Sequence, residues 1–464
     1  MSKAVLPIAL VVFLSGTLRI GSAQPLELED AATLSREYLA SDDREERAEI
    51  AAKLATYKGY IEPVLLQLQA RTFNRVESGY HADKSFSIPE LAEKHPDDLL
   101  FFNVPPSYSP KTPTGLVVFL HGGGATTGRR APRVTLDYPP EGVSERDSNQ
   151  LGNVLNAAGL IGVGASAPWN ENSYYRWCLR ESDEYIADVI RECRSRFNID
   201  ADRVILLGHS MGGFGAYHHL LRQPDRFSTV IVNAGSWSLG YWPAIRGTPL
   251  CIVQGVNDAR PGARWHYTDV EYARQTVRLL QSYNLEHTYC EHEGMHALCE
   301  GKEFIAQYLN VAKNLRRDPF APHIALATPQ GFGHYYKSPA RHNRWLSINE
   351  TLPGTLKFDQ LVTNGADDFH EWRLHHEVTE RSGSLVEAAY QGNSIAVTTR
   401  HIARFTVWLH PRMINVNKPV LITVNGKEAF HGYVRSSLLT SLESYERRGD
   451  WGLIYPIKVE LSGR

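Results

Sequence analysis

Cysteine is scarce in this chain, and no two cysteines have the spacing of a metal-binding pair. The sequence lacks a Cys-x-x-Cys motif and so shows no zinc knuckle. An odd number of cysteines leaves at least one thiol unpaired within the chain. Cys251 lies in an apolar run and is predicted to be a buried thiol, whereas Cys290 and Cys299 either form a bridge or remain free. The five cysteines are Cys178, Cys193, Cys251, Cys290 and Cys299.

A large excess of charge, internal repeats and low-complexity tracts are also absent. The formal net charge is only -2, which argues against a broad nucleic-acid footprint, so we expect no nucleic-acid partner. With 42% hydrophobic and 22% charged residues, the composition is that of an ordinary globular protein. A chain of 464 residues is long enough for two or three domains with a large core.

A long apolar run occurs only at the N-terminus. The stretch from Ala4 to Leu14 follows Lys3, and small residues precede a predicted cut near Ala23. This pattern is typical of a secretory signal peptide over residues 1–23, with an uncleaved anchor as the alternative. We therefore expect a secreted or periplasmic protein that keeps no stable membrane span once the signal is removed.

The pattern along the chain predicts three further regions. Residues 24–98 are predicted to be an N-terminal helical extension, because charged, helix-forming residues in the stretch 26–58 are interspersed with apolar positions suited to one or two amphipathic helices. In residues 99–318, apolar runs alternate with helix-like segments, which predicts an α/β domain with a mostly parallel sheet and helices on both faces. Residues 319–464 are predicted to be a separate, mainly β domain with the architecture of a small sandwich. A hairpin is predicted at Asn425-Gly426. The strand candidates of the α/β domain are 116–120, 160–164, 203–207, 229–233, 249–254 and 286–291.

The five residues from Gly208 to Gly212 match G-x-S-x-G, the turn that presents a nucleophilic serine. An apolar run, Val204–Leu207, precedes the turn, and a glycine-rich helical segment follows it. Small residues two positions before and after Ser210 allow strand and helix to approach closely around a strained turn. Ser210 is therefore the predicted nucleophile, and the alternative is a serine in an ordinary glycine-rich helix start.

A second glycine-rich segment, His121–Gly124, directly follows the strand candidate 116–120. Glycine lets backbone N–H groups turn toward a ligand, so this loop is a candidate oxyanion hole. We expect one donor from Gly123, with Gly124 as the neighbouring candidate, and the other from Met211 after the serine. Taken alone, such a turn could instead bind phosphate.

The acid and the base that a serine nucleophile needs follow in the order serine, acid, histidine. Asp258 falls in the loop at the end of the run 249–255, where ligand-facing residues of open α/β sheets gather. His296 follows the strand candidate 286–291 and is the predicted general base. The rival acids are Asp269, Glu271, Glu291 and Glu293, and the nearest rival base is His292.

One competing motif overlaps the predicted base. The residues from His292 to His296 match H-E-x-x-H, the zinc-protease pattern, which requires both histidines one turn apart on a helix. Gly294 disfavours a helix through this segment. We treat the match as accidental and expect no metal, while zinc hydrolysis remains an alternative mechanism.

Three tryptophans fall in loops at the expected rim of the site. Trp169, Trp237 and Trp265 each follow a strand candidate or the predicted acid. Together they are candidates for a substrate platform under an aryl or sugar group. Ordinary packing is the alternative for each.

These segments resemble the α/β-hydrolase superfamily, and more narrowly its secreted esterases related to feruloyl esterases, polyhydroxybutyrate depolymerases and prolyl-oligopeptidase-like hydrolases. The resemblance runs from Leu116 to about Leu309 and rests on five segments. It implies the α/β-hydrolase fold and a Ser210, Asp258 and His296 triad. The matching segments are Leu120–Gly124, Tyr185–Val204, Gly208–Gly213, Gly255–Asp258 and Gly294–His296.

The resulting hypothesis is a secreted serine hydrolase that cleaves a small-molecule or polymer carboxylic ester without a cofactor. The C-terminal domain is a candidate for glycan contact. Three alternatives stay open: a serine peptidase of prolyl-oligopeptidase-like type, the zinc hydrolase, and a non-catalytic binding protein on a hydrolase scaffold.

Overall fold

The computed structural model describes residues 26–123, 151–166, 176–258, 268–329, 341–366, 368 and 370–463. By its contacts the chain divides into a unit ending at Leu68 and a unit from Gln69 to Arg464. Within the described ranges, no helix is both long and apolar enough to cross a membrane. The predicted signal peptide 1–23 lies outside the described residues.

The first unit is helical. Helix α1 spans Leu28–Ala40, α2 spans Arg44–Leu54, and α3 begins at Ile61 and ends at Gln69. Asp43 caps α2 by accepting hydrogen bonds from the N–H groups of Glu45 and Glu46, as Asp often does at a helix start. Helices are therefore present in this part of the chain, where the sequence pattern predicts a helical extension.

The large sheet of the second unit contains mostly parallel strands. Its spatial order is β1-β2-β4-β3-β5-β6-β8-β9, and only the pairings of β2 with β1 and β4 are antiparallel. Its strands are β1 (Gly79–Lys84), β2 (Leu100–Val104), β3 (Thr114–Leu120), β4 (Ile161–Ala165), β5 (Ile199–His209), β6 (Thr229–Asn233), β8 (Leu250–Gly255) and β9 (His287–His292); β7 (Leu239–Gly240) belongs to another sheet. The parallel strands are continuous apolar runs because both faces of the sheet are covered.

The alternation of side chains along β3 shows how the two faces are buried. Leu116, Val118 and Leu120 join one hydrophobic cluster, whereas Val117 and Phe119 join another. The first cluster contains residues of α6, α7 and α8, and the second contains residues of α5 and α9. The helices of this region are α4 (Pro89–Lys94), α5 (Gly152–Ala158), α6 (Arg180–Arg196), α7 (Met211–Arg222), α8 (Val270–Ser282) and α9 (Leu298–Ala312).

Strand β1 corrects one expectation. Residues 79–84 lie within the segment 24–98 that the sequence pattern predicts to be helical, yet they pair antiparallel with β2. The sheet edge supplies backbone partners that a single-sequence pattern does not contain. This part of the segment therefore extends the large sheet.

The C-terminal region is mainly β, as predicted. Its strands form two further sheets, one ordered β18-β17-β15-β14-β13-β7 with β10 beside β14, the other ordered β11-β12-β16-β19. Both contribute to one hydrophobic core, as in a sandwich. The elements are β10 (His323–Pro329), β11 (His342–Asn343), β12 (Leu346–Thr351), β13 (Thr355–Thr363), β14 (Leu374–Gln391), β15 (Ser394–Arg400), β16 (Ile402–Leu409), β17 (Val420–Val424), β18 (Lys427–Gly432), α10 (Leu438–Arg448) and β19 (Ile457–Ser462).

The predicted hairpin at Asn425-Gly426 is confirmed. These residues join β17 to β18 and have φ angles of 51° and 79°. Positive φ at both central positions suits the tight turns whose twist matches that of paired strands.

Strand pairing and a buried ion pair connect the β region to the α/β region. Strand β7, which follows β6 of the large sheet, pairs with β13 at Asp359 and Gln360. Arg317 places its guanidinium 2.6 and 2.9 Å from the two carboxylate oxygens of Asp450. The two regions therefore meet through strand pairing and a buried ion pair.

Candidate active site

The turn between β5 and α7 holds Ser210 in a strained backbone conformation. Its φ is 54° and its ψ is −119°, a region that residues with side chains seldom occupy. A Cβ on Gly208 would lie 1.9 Å from the carbonyl oxygen of Gly212. A Cβ on Gly212 would lie 1.9 Å from the carbonyl oxygen of Leu120, so the close approach requires glycine at both positions.

His296 lies beside the serine hydroxyl. Ser210 Oγ is 2.8 Å from His296 Nε2, within hydrogen-bond distance. The loop that carries His296 is held from both sides: Asn257 donates its backbone N–H to the carbonyl of Gly294, and Met295 donates its own to Glu300 Oε2. The imidazole is therefore presented by a loop with fixed backbone positions.

Asp258 lies behind the histidine. His296 Nδ1–H donates to Asp258 Oδ2 over 2.8 Å, and the carboxylate is only 3% exposed. Gln254 Nε2 donates to Oδ2 at 3.1 Å, and Thr268 Oγ1 donates to Oδ1 at 2.9 Å. The buried carboxylate thus has a partner on each oxygen, as a charge away from water requires.

Sequence reasoning missed the supporting roles of Gln254 and Thr268. Gln254 is a fully buried polar residue near the end of an otherwise apolar strand, β8. Such an interruption is a usable signal, because a buried amide needs hydrogen-bond partners. Thr268 carries no comparable signal in the sequence. Its role depends on its position beside Asp258, which lies ten residues earlier in the chain.

The rival acids have other contacts. Asp269 caps α8 by accepting the N–H of Glu271, and Glu271 pairs with Arg274. Glu291 also binds Arg274, at 2.9 Å through each oxygen. Glu293 accepts a hydrogen bond from Asn257 through its backbone carbonyl. The structure places Asp258, and none of these four described residues, against His296.

His292, the rival base, ends strand β9. Its Nδ1 accepts the backbone N–H of Gly294 at 3.2 Å, and its ring stacks near Phe304. Residues 292–296 are all described and form a strand end and a loop, so the two histidines do not lie one turn apart on a helix. Among the described residues, no group of three or more His, Cys, Asp or Glu is placed to hold a metal ion.

A second histidine, His209, lies against the predicted base. Its ring centroid is 5.1 Å from that of His296, and its Nδ1–H donates to Asn233 Oδ1 over 2.6 Å. Burial, and then the proximity of His296, lower the pKa of His209 to about 4. At neutral pH the site therefore holds a neutral imidazole beside the base, which the sequence reasoning did not anticipate.

The candidate oxyanion loop leaves the end of β3 next to the serine. A Cβ on Gly122 would be 3.3 Å from Ser210 Cβ, so the loop backbone runs close to the elbow. Met211 is buried at the start of α7. Gly123 ends the described part of this loop, and Gly124 lies outside it.

The predicted aromatic platform is wrong for the member that the structure describes. Trp237 is only 5% exposed, packs on Trp242 and donates its indole N–H to Thr276 Oγ1. Its neighbours fill the core, so it presents no face to a substrate. Trp169 and Trp265 lie outside the described residues.

The cysteines are all described, and each is a free thiol. The bridge considered between Cys290 and Cys299 does not form. Cys251 is buried, as predicted, and burial raises the pKa of its thiol above the ordinary value.

Comparison with known proteins supports the fold. Residues 117–328 match the family model described as "Alpha/beta hydrolase family". The bifunctional acetylxylan esterase/xylanase XynS20E of Neocallimastix patriciarum is 31% identical over 75 residues, which are 16% of this chain and 11% of that protein. The chain thus spans about a tenth of that relative's length.

Solved structures of similar proteins align with about half of the chain. A thermostable esterase is 19% identical, with a TM-score of 0.37, over 50% of this chain and 60% of that one. The poly(3-hydroxybutyrate) depolymerase LpqC from Bordetella parapertussis is 16% identical, with a TM-score of 0.36, over 50% of this chain and 89% of that one.

Proposed function

We propose that residues 117–328, which match the model of the alpha/beta hydrolase family, form the catalytic domain of a serine-dependent carboxylic ester hydrolase. The observation that carries the proposal is the hydrogen-bonded series Asp258–His296–Ser210, with both bonds at 2.8 Å. Nucleophile, base and orienting acid must be within such reach of one another for the hydroxyl to react.

The reaction proceeds in two acyl-transfer steps. Ser210 Oγ attacks the ester carbonyl while His296 Nε2 takes the hydroxyl proton. The resulting tetrahedral intermediate collapses, the C–O bond to the alcohol breaks, and His296 gives its proton to the departing alcohol oxygen. Water then attacks the acyl-enzyme with its proton going to His296, and the acid leaves as Ser210 regains its hydrogen.

Asp258 fixes the tautomer of His296 that these proton transfers require. By accepting from Nδ1–H, it leaves the Nε2 lone pair of His296 directed at the serine. It also stabilises the imidazolium that forms in each step. The donors from Gln254 and Thr268 hold the carboxylate in place for this role.

Backbone N–H groups of Gly123 and Met211 are the proposed oxyanion donors, with Gly124 as the neighbouring candidate. Each donor of this kind typically contributes about 3 kcal/mol to transition-state stabilisation. The proximity of Gly122 to Ser210 supports this assignment, because the loop runs beside the side chain that carries the attacking hydroxyl.

Hydrolysis of p-nitrophenyl acetate by wild type, Ser210→Ala and His292→Gln tests the proposal. We expect Ser210→Ala to lose activity and His292→Gln to retain most of it, because His292 lies outside the hydrogen-bonded series. Equal rates for wild type and Ser210→Ala would refute the serine mechanism. Loss with His292→Gln and with a chelator, but resistance to a serine-directed phosphonate, would favour the zinc alternative.

Ester preference over peptide preference is part of the proposal. A matched series of ester and amide substrates with the same acyl group separates the esterase from the serine peptidase. A folded protein that cleaves neither and fails to react with a fluorophosphonate at Ser210 would instead be a binding protein on a hydrolase scaffold.

We further propose export and a polysaccharide ester as the substrate class. The signal-like residues 1–23 support export, and the name of the partial relative, an acetylxylan esterase/xylanase, supports an acetylated glycan. Comparing acetyl, feruloyl, hydroxybutyrate and peptide substrates on one sample tests the substrate class. Detection of the mature N-terminus near Gln24 in the exported fraction tests the leader.

Glycan contact through the β region is proposed at a surface cleft lined by Tyr433, Asn417 and Arg435. Tyr433 is 70% exposed, and an exposed aromatic face beside amide and guanidinium donors suits a sugar ring. Affinity electrophoresis in xylan gels should show weaker retardation of Tyr433→Ala than of wild type. Tyr60→Ala, which removes an exposed tyrosine from the helical unit, is the control.

A further inference from the structure

Trp177 is a fully buried tryptophan that contacts the candidate oxyanion loop. It lies in the short 3₁₀ turn Arg176–Cys178, just before α6. Its indole Nε1–H donates to the backbone carbonyl of His121 over 3.0 Å. The indole also meets the His121 imidazole edge to face, with ring centroids 5.2 Å apart. The side chain is thus bound to the first residue after β3.

This hydrogen bond fixes the direction of a backbone donor. In a trans peptide the carbonyl of one residue and the N–H of the next point in opposite directions within one rigid plane. Holding the His121 carbonyl therefore orients the N–H of Gly122. Glycines at 122 and 123 have wide rotational freedom of their own, so such an external constraint is needed to keep the loop in one conformation.

The next peptide plane is held in the same way. His121 Nδ1–H donates to the carbonyl oxygen of Gly122 over 2.8 Å. That bond orients the N–H of Gly123, the proposed oxyanion donor, because the two groups share one plane. Trp177 packs against this imidazole, so it supports both constraints.

The other side of Trp177 rests on the helix that begins after the nucleophile. A Cβ on Gly215 of α7 would lie 2.2 Å from Trp177 Cβ, so the glycine makes room for the indole. The hydroxyl of Ser182 donates to the Trp177 carbonyl over 2.9 Å. Trp177 therefore bridges the oxyanion loop and the nucleophile helix.

A buried ion pair secures the same segment to α7. Asp183 accepts two hydrogen bonds from Arg222, at 2.6 and 3.0 Å, and one from His218 at 3.2 Å. Burial disfavours the charged carboxylate, but Arg222 and His218 outweigh it and hold the pKa of Asp183 well below its ordinary value. The start of α6, and with it Trp177, is thus attached to the nucleophile helix.

We propose that Trp177 is a positioning residue that orients the oxyanion loop His121–Gly123 with respect to Ser210. The inference rests on the proposed function, because that function assigns the loop its role. Among these described residues, no hydrogen bond or ring contact joins Trp177 to Ser210 or His296, and Trp177 acts through the His121 carbonyl.

The test compares Trp177→Phe with Trp345→Phe. Phenylalanine keeps an aromatic ring but removes the indole donor. Trp345 is also fully buried and donates to a backbone carbonyl, that of Ala321 at 2.8 Å, but it lies in the β region. The pair thus loses the same kind of bond in two places, and thermal unfolding of both variants checks that each is folded.

With p-nitrophenyl acetate, Trp177→Phe should lower kcat about tenfold and leave KM within about twofold, since a misdirected donor weakens mainly the transition state. The inhibition constant of an aryl trifluoromethyl ketone, which forms a tetrahedral adduct with serine, should rise by a similar factor. Trp345→Phe should leave both unchanged. A Trp177→Phe enzyme with wild-type kcat and ketone affinity would overturn the proposal, as would a change in KM alone.

Gly215→Ala provides a second variant that leaves Trp177 in the chain. Its new Cβ displaces the indole from the α7 side, so kcat should fall. Because alanine favours the helix more than glycine does, α7 itself should not be weakened by the change in helix propensity. Unchanged kcat in this folded variant would also contradict the proposal.

Crystal structures of the two tryptophan variants give a readout independent of turnover. The His121 carbonyl and the peptide planes that follow should rotate in Trp177→Phe and stay in place in Trp345→Phe. If wild type hydrolyses no ester, the proposed function fails, while an unmoved loop in Trp177→Phe refutes the positioning role alone.

Discussion

His209 and Asn233 are joined by a 2.6 Å hydrogen bond, and the His209 ring centroid lies 5.1 Å from that of the candidate base. The same Asn233 accepts the backbone N–H of Ser210 through its carbonyl oxygen at 3.0 Å. One residue at the end of β6 therefore holds the serine backbone and the imidazole that precedes it. Because a charged His209 would repel the imidazolium form of His296, its neutrality favours proton uptake by the base.

The low pKa of His209 predicts loss of stability in acid. Its folded-state pKa of about 4 is below the ordinary 6.5, so the unfolded chain binds the proton more tightly. This contribution is absent above pH ~6.5, grows as the pH falls toward ~4, and reaches about 1–2 kcal/mol of destabilisation at pH ~5. Urea unfolding at pH 7 and pH 5 measures this loss together with the losses from His219 and His410, whose pKa values burial also lowers.

His209→Asn isolates that contribution, because the asparagine amide N–H lies near the position of Nδ1 and can still donate to Asn233, whereas the side chain does not titrate in this range. The variant should lose less stability than wild type between the two pH values. A loss equal to that of wild type would show that His209 is not the group responsible.

Replacing the buried acid should lower turnover without removing the nucleophile. In Asp258→Asn the preferred tautomer of His296 is no longer enforced, and kcat should fall by about 10³–10⁴-fold. Asp269→Asn is the matched control: asparagine caps helices as well as aspartate does, so α8 and the activity should be preserved. Steady-state ester hydrolysis by both variants tests this prediction. Similar kcat values for the two variants would show that Asp258 does not orient His296.

Glycine at the elbow should be irreplaceable for steric reasons. Gly212→Ala places a Cβ 1.9 Å from the Leu120 carbonyl oxygen, so strand and helix must separate and activity should be lost. Gly392→Ala adds a Cβ that meets nothing within 4 Å but has a φ of 57°, and should cost only about 1–2 kcal/mol. Activity and thermal unfolding of both variants test this contrast, and a fully active Gly212→Ala enzyme would contradict it.

The buried pair between Arg317 and Asp450 should matter far more than a surface pair. Arg317→Met leaves the buried Asp450 carboxylate without its main partner and should cost about 3–5 kcal/mol in urea unfolding. Arg404→Met breaks a pair of similar length with Glu350, but both side chains are largely exposed, and little change is expected. Equal losses of unfolding free energy in the two variants would mean that another cation compensates the Asp450 charge. Arg194, whose Nη1 lies 3.0 Å from Asp450 Oδ1, is the candidate for that role.

Much of the α/β region was predictable because its signals are local. The run 229–233 coincides with β6, and the segment predicted as a helix after Ser210 is α7. Helix α10 was missed although it carries such signals: the Ser437 side chain caps its start, and Gly449 ends it with a φ of 62°. Strand β13 depends instead on distant contacts, since much of its support comes from pairing with β7 and β14.

The sequence by itself identified Ser210 as the candidate nucleophile and named its candidate partners, because a strained turn between strand and helix requires a specific pattern of small residues. Only the tertiary structure decided which of five acids meets His296 and that Trp237 is core. It also decided that Asn233, Gln254 and Trp177 support the site. Those outcomes depend on contacts between residues far apart in the chain, and local periodicity carries no record of such distances.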